Sequence, residues 1–117
     1  MSTWGCKPLE NDFASDLLAE FNESANIALL EQAFNKVNIL NTDQYLEAPD
    51  AQEAVAAAQI FQSLDTDQIK QEDRKRLTNQ ANAALRRVLE NSELNELWSE
   101  SDEYNDWVIA VKGLIID

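Results

Sequence analysis

The chain has 117 residues, 44% of them hydrophobic, and 22 acidic against 9 basic side chains give it a net charge of −13. That length supplies one modest core and predicts a single domain; the acid excess repels nucleic-acid phosphates and anionic membranes, so a basic protein is the favoured partner. There is no histidine, and Cys6 is the only cysteine, which removes the commonest general base, imidazole metal ligands, an internal disulfide and a thiolate zinc site together.

Two glycines and two prolines, with no Asn-Gly or Asp-Gly pair, argue against tight hairpins and for helices. The N-terminal stretch has no apolar run of the signal-peptide kind, and no later segment is long and apolar enough to span a bilayer, so the expected location is the cytoplasm. The first helix is predicted to start at Asn11 or Asp12, either of which can cap free N–H groups, and to end at Asn22 with Phe13, Leu17, Leu18 and Phe21 on one face. A second is predicted from Ser24, with Ile27, Leu30, Ala33, Phe34, Val37 and Leu40 as its stripe and Asn41 as a left-handed stop. A third carries Pro49 in its first turn and runs through the alanine-rich stretch 54–58 to Ile60 and Phe61. Being apolar on nearly every side, it reads as the buried central helix.

Residues 63–72 are polar and read as a loop. A fourth helix follows from about Asp73 to Glu90, with Leu77, Ala81, Ala84, Leu85, Val88 and Leu89 inward and Arg74, Lys75, Arg76, Arg86 and Arg87 outward. A short helix over 92–98 and a last one from about Asp102 to Ile116 complete the chain, and Trp98 and Trp107 are expected to be buried at their seam. The predicted architecture is all-α, an irregular bundle of five to six helices around the alanine-rich one.

Charge is distributed unevenly. Between Arg87 and Lys112 stand Glu90, Glu93, Glu96, Glu100, Asp102, Glu103 and Asp106 with no base among them. Asp43, Glu47, Asp50 and Glu53 form a second acid-only run with Tyr45 inside it. Such strips steer a basic partner, and an aromatic among acids is a suitable interface anchor; a solvated surface would use the same residues for solubility alone. The candidate partner-binding residues are therefore Asp43, Tyr45, Glu47, Asp50, Glu53, Glu93, Glu96, Glu100, Asp102, Glu103 and Asp106.

Six of the nine basic residues fall between Lys70 and Arg87. Pairing with neighbouring acids, rather than nucleic-acid contact, is the expected use of them in so negative a chain. Trp4, Gly5, Pro8, Asn11 and Asp12 could line a small pocket, but the favoured reading is structural, with Trp4 packed as a lid on the core and Asn11 and Asp12 capping the first helix. No calcium loop, phosphate-binding loop, serine elbow or histidine–carboxylate metal motif is present in the sequence, so no cofactor, metal or catalytic residue is assigned.

The opening Thr3-Trp4-Gly5, the run Pro8-Leu9-Glu10-Asn11-Asp12, the stretch Ala57-Ala58-Gln59-Ile60, and Ser92-Glu93-Leu94-Asn95-Glu96-Leu97-Trp98 followed by Trp107 together resemble a bacterial family, domain of unknown function 4259. Lys7 and Leu9 stand where that family usually has glycine and phenylalanine, and Gln59 where it tends to have glutamate. The resemblance covers almost the whole chain and implies a helical fold and a bacterial source, but no reaction.

From size, acidity and the lack of catalytic chemistry, the expected function is that of an immunity protein. It would bind a basic cognate toxin, of which a nuclease is one kind, as a monomer or weak dimer, and occlude its active site without being an enzyme. The alternatives are a small-ligand or carboxylate-based enzyme domain and an acidic adaptor or nucleic-acid mimic. A cavity with convergent acids would favour the enzyme, and regularly spaced carboxylates on one ridge the mimic.

Overall fold

A computed structural model describes residues 12–24, 26–41, 43–64, 67 and 69–116, with side chains from 16 onward. Trp4, Gly5, Cys6, Pro8 and Asn11 lie outside the described residues, as does the side chain of Asp12. Among the described residues there are six α-helices and no strand: α1 (Asp12–Ser24), α2 (Ala28–Asn38), α3 (Ala48–Ser63), α4 (Gln71–Glu90), α5 (Glu93–Ser99) and α6 (Tyr104–Lys112).

The alanine-rich third helix is the centre of the bundle. It packs against α1, α2, α4 and α5, and Ala51, Ala54, Val55, Ala56, Ala57, Ala58, Ile60 and Phe61 are all buried. Small side chains on most faces let four neighbours approach one axis. The larger residues that fill the remaining space come from those neighbours: Leu17 and Phe21 of α1, Leu30, Phe34 and Val37 of α2, Leu77, Leu85 and Val88 of α4, and Leu94 and Trp98 of α5. Burying each large aliphatic or aromatic side chain contributes roughly 1.5–3 kcal/mol. The last helix, α6, closes the bundle against α4 and α5.

The termini of the elements differ from the sequence expectation for identifiable reasons. Helix α1 runs on to Ser24, whose hydroxyl donates back to the Glu20 carbonyl at 3.2 Å instead of opening the next helix. The α2 start is served by Asn26, whose Oδ1 accepts from Ala28 N at 3.0 Å. Its end comes earlier than Asn41, with Ile39 still in right-handed helical conformation at the C-cap. Asn41 begins a turn of its own, its N–H donating to Gln44 Oε1 at 2.8 Å and its carbonyl accepting from Gln44 N at 3.0 Å. Helix α4 starts at Gln71, and the loop before it is anchored by the buried Ile69. Helix α6 stops at Lys112 because the following backbone is engaged elsewhere: Gln62 Nε2 donates to the Leu114 carbonyl at 2.6 Å, and Asn82 holds both the N–H (3.0 Å) and the carbonyl (2.5 Å) of Ile116.

Candidate partner-binding face

The connection from α2 to α3 and the start of α5 are far apart in sequence and are joined in space. Leu46, fully buried, pins the connection to the core. Its carbonyl accepts from Glu93 N at 2.9 Å, and Glu93 Oε1 accepts from Ala48 N at 2.8 Å. The Glu93 carboxylate thus satisfies one of the free N–H groups at the α3 N-terminus, where the helix dipole also favours a negative charge. On the far side of this staple the Tyr45 hydroxyl donates to Glu96 Oε2 at 2.8 Å.

Arg87 fixes the other end of the same connection. Its Nη1 donates to the Asn41 carbonyl at 3.1 Å, its Nη2 to the Gln44 carbonyl, and its Nε to the Asn91 carbonyl at 3.0 Å. One guanidinium on α4 therefore ties the turn before Tyr45 to the turn before α5. That turn is itself closed by Ser92, which is buried: its hydroxyl donates to the Val88 carbonyl at 2.7 Å and accepts from Asn95 N at 3.0 Å, capping α5.

Held in this way, Tyr45 is 52% exposed and surrounded by acids. Its phenol is pushed up to about 12, first by the hydrogen bond to Glu96, then by partial desolvation, then by the negative charges of Glu96, Glu93 and Glu47. The hydroxyl therefore stays protonated, and a donor, throughout the physiological range. On α5, Glu93, Glu96 and Leu97 share the helix surface that ends at Glu100, its C-cap, and Leu97 is 45% exposed. Glu47 from one acid-only run and Glu93, Glu96 and Glu100 from the other thus share one face, with an aromatic and an aliphatic side chain standing in it.

The eleven candidate residues do not all belong to that face. Tyr45, Glu47, Glu93 and Glu96 meet, Glu100 continues their surface along α5, and exposed Asp43 lies in the connection itself. Glu93 is in part committed to the α3 cap. Glu53 is engaged by Lys36 at 3.3 Å and borders a cavity of 130 Å³ with Asp16, Leu17 and Glu20. Asp50, in the first turn of α3, is half-buried; Asp102 and Glu103 sit in the turn after α5, and Asp106 in the first turn of α6. The first-turn positions of Asp50, Glu93, Glu96 and Asp106 place negative charge where helix dipoles favour it, so part of the acidity also serves the fold.

The basic residues between Lys70 and Arg87 meet acids less often than expected. Arg76 binds Glu31 (2.7 Å) and Asp73 (2.9 Å), but Arg74 donates to the Leu64 carbonyl at 3.0 Å and lies 5.6 Å from the centre of the Phe61 ring, and Arg87 serves carbonyls. Behind the acidic face, Trp98 and Trp107 are both buried and stack at 6.0 Å and 11°, as expected at the α5–α6 seam. The residues that sequence reasoning missed are Leu97, Arg87 and Ser92. Leu97 alternates with acids in a short helix and so gives no stripe, and a carbonyl-binding arginine leaves no sequence signature.

Among the described residues no group of three or more acids or cysteines is arranged to hold a metal ion, and no helix is long and apolar enough to cross a membrane. Searches of curated proteins and of solved structures return no match. The alanine-rich core helix and the segment from Ser92 to Trp98, with Trp107 stacked behind it, both fall within residues 2–109, which match the family model described as Domain of unknown function (DUF4259); the chain belongs to that family.

Proposed function

We propose that the protein is an immunity protein, which binds a basic toxin through the face built around Tyr45 and blocks access to the toxin's active site without chemistry of its own. The observation that carries this reading is the Tyr45–Glu96 hydrogen bond: it fixes an exposed aromatic ring among acids drawn from both acidic runs. Carboxylates steer the encounter and raise its rate, and Tyr45 and Leu97 are the side chains whose desolvation holds the complex. A ring whose hydroxyl is already anchored loses little conformational freedom on binding.

The carboxylate-enzyme alternative is less well supported. The 650 Å³ cavity between α4 and α6 contains a single acid, Glu90, and the acid-lined one at Asp16, Glu20 and Glu53 is small and has Glu53 tied to Lys36. The mimic reading asks for evenly spaced carboxylates along a ridge, whereas the acids here surround two apolar side chains.

The test is co-expression of the protein with the product of its neighbouring gene in the source bacterium, followed by capture and a growth assay. Capture of a toxic neighbour whose toxicity disappears supports the proposal. A neighbour that is toxic and remains so, or one that is neither toxic nor bound, overturns it.

A further inference from the structure

A groove of about 650 Å³ opens between α4 and α6, shares no lining residue with those that meet at Tyr45, and is lined by Arg86, Leu89, Glu90, Tyr104, Val108, Lys112 and Ile115. Its size lies within the ~300–1,000 Å³ common for small-molecule sites. Leu89, Val108 and Ile115 are half-buried and pack on the core, giving the groove an apolar floor.

Two cations stand in this groove, one from each helix. Neither Arg86 nor Lys112 takes part in the ion pairs among the described residues, which engage Lys36 and Arg76. Glu90, one turn beyond Arg86, lies within the same groove yet forms no ion pair with it. A third donor is present: the Tyr104 hydroxyl accepts from Asn95 Nδ2 at 3.0 Å, which leaves its own proton to donate.

From this combination we infer that the groove binds a small monocarboxylate with an apolar tail, the head group between Arg86 and Lys112 and the tail on Leu89, Val108 and Ile115. Glu90 and the molecule's overall negative charge act against ligands of higher charge, such as polyphosphates. Acetate-like ions have no tail to bury on the apolar floor and so gain nothing from it. The groove makes no use of the Tyr45 face, so this inference stands apart from the toxin-binding proposal.

Tyr104 stacks on Trp107 at 6.1 Å and 24°, so occupancy has a built-in reporter in tryptophan fluorescence. The experiment titrates the full chain with decanoate, with decanol and with acetate, by fluorescence and by calorimetry, and repeats the decanoate titration on Arg86→Gln and Lys112→Gln. The expected result is saturable one-to-one decanoate binding, at least ~10-fold weaker binding of decanol, none of acetate, and a ~10-fold loss in each variant. Equal binding of decanol and decanoate overturns the assignment, as does decanoate binding that both variants retain, or no saturable binding below the micellar range. The decanol comparison uses the unaltered protein, so it decides the matter even if a variant folds poorly.

Discussion

At Tyr45 a hydroxyl adds a side-chain tie between two distant parts of the chain that the Leu46–Glu93 staple already holds together. Its bond to Glu96 is also what principally raises the phenol to about 12, so the contact can be read directly by titration. Glu96→Gln removes the charged acceptor, and ultraviolet difference spectra are expected to show the Tyr45 midpoint moving down towards the ordinary value of about 10. The sign for stability follows from linkage: between pH ~10 and ~12 the folded state keeps a proton that the unfolded chain has released. The contribution of this contact is therefore complete below pH ~10 and lost as pH rises through about 12. Tyr45→Phe, at so exposed a position, is expected to leave the denaturant-unfolding midpoint at neutral pH nearly unchanged while weakening partner capture.

Among the elements, the acidic face depends on how the α2–α3 connection and α5 are held by α4. Arg87 supplies three hydrogen bonds to carbonyls at the two turns involved. Arg87→Met is expected to cost about 2 kcal/mol in denaturant unfolding and to lower the Tyr45 midpoint as well, because the ring loses its fixed position against Glu96. Unchanged stability together with an unchanged Tyr45 titration would show that the clamp does not set the face. Behind it, Trp98→Ala removes the largest fully buried side chain and its stacking on Trp107, with an expected loss of ~3–5 kcal/mol in the same measurement.

These elements also mark what can be read from the residues alone. The helical pattern of α2 and α4 is plain because Leu30, Phe34 and Val37, and Leu77, Ala81, Ala84 and Val88, recur at three- and four-residue spacing. The position of α3 at the centre is legible because it is apolar on nearly every side. Ends are less legible, since α6 stops where Gln62 and Asn82, more than thirty residues earlier in the chain, capture the backbone that follows it. The candidate face was only half visible for the same reason. Acid-only runs are apparent in a sequence, but the staple through Leu46 and Glu93 that joins them is a tertiary contact. Glu53 illustrates the converse, an acid within a promising run that Lys36 of another helix engages.

For the whole molecule the net charge of −13 is not spread evenly, because Arg86 and Lys112 sit in one groove while Tyr45 stands among Glu47, Glu93 and Glu96. Association with a basic toxin is expected to slow several-fold between low and physiological salt, with dissociation much less affected, as stopped-flow mixing would show; rates insensitive to salt would contradict steering. The most direct test of the central claim is charge reversal on the face in the neighbour-toxin growth assay. Glu47→Lys, Glu96→Lys and Glu100→Lys are combined, Glu93 is kept because its carboxylate caps α3, and a control carries the same kind of reversal at the exposed Glu23 and Glu72. Loss of protection with the face variant and full protection with the control is the predicted result, whereas equal protection by both would contradict it.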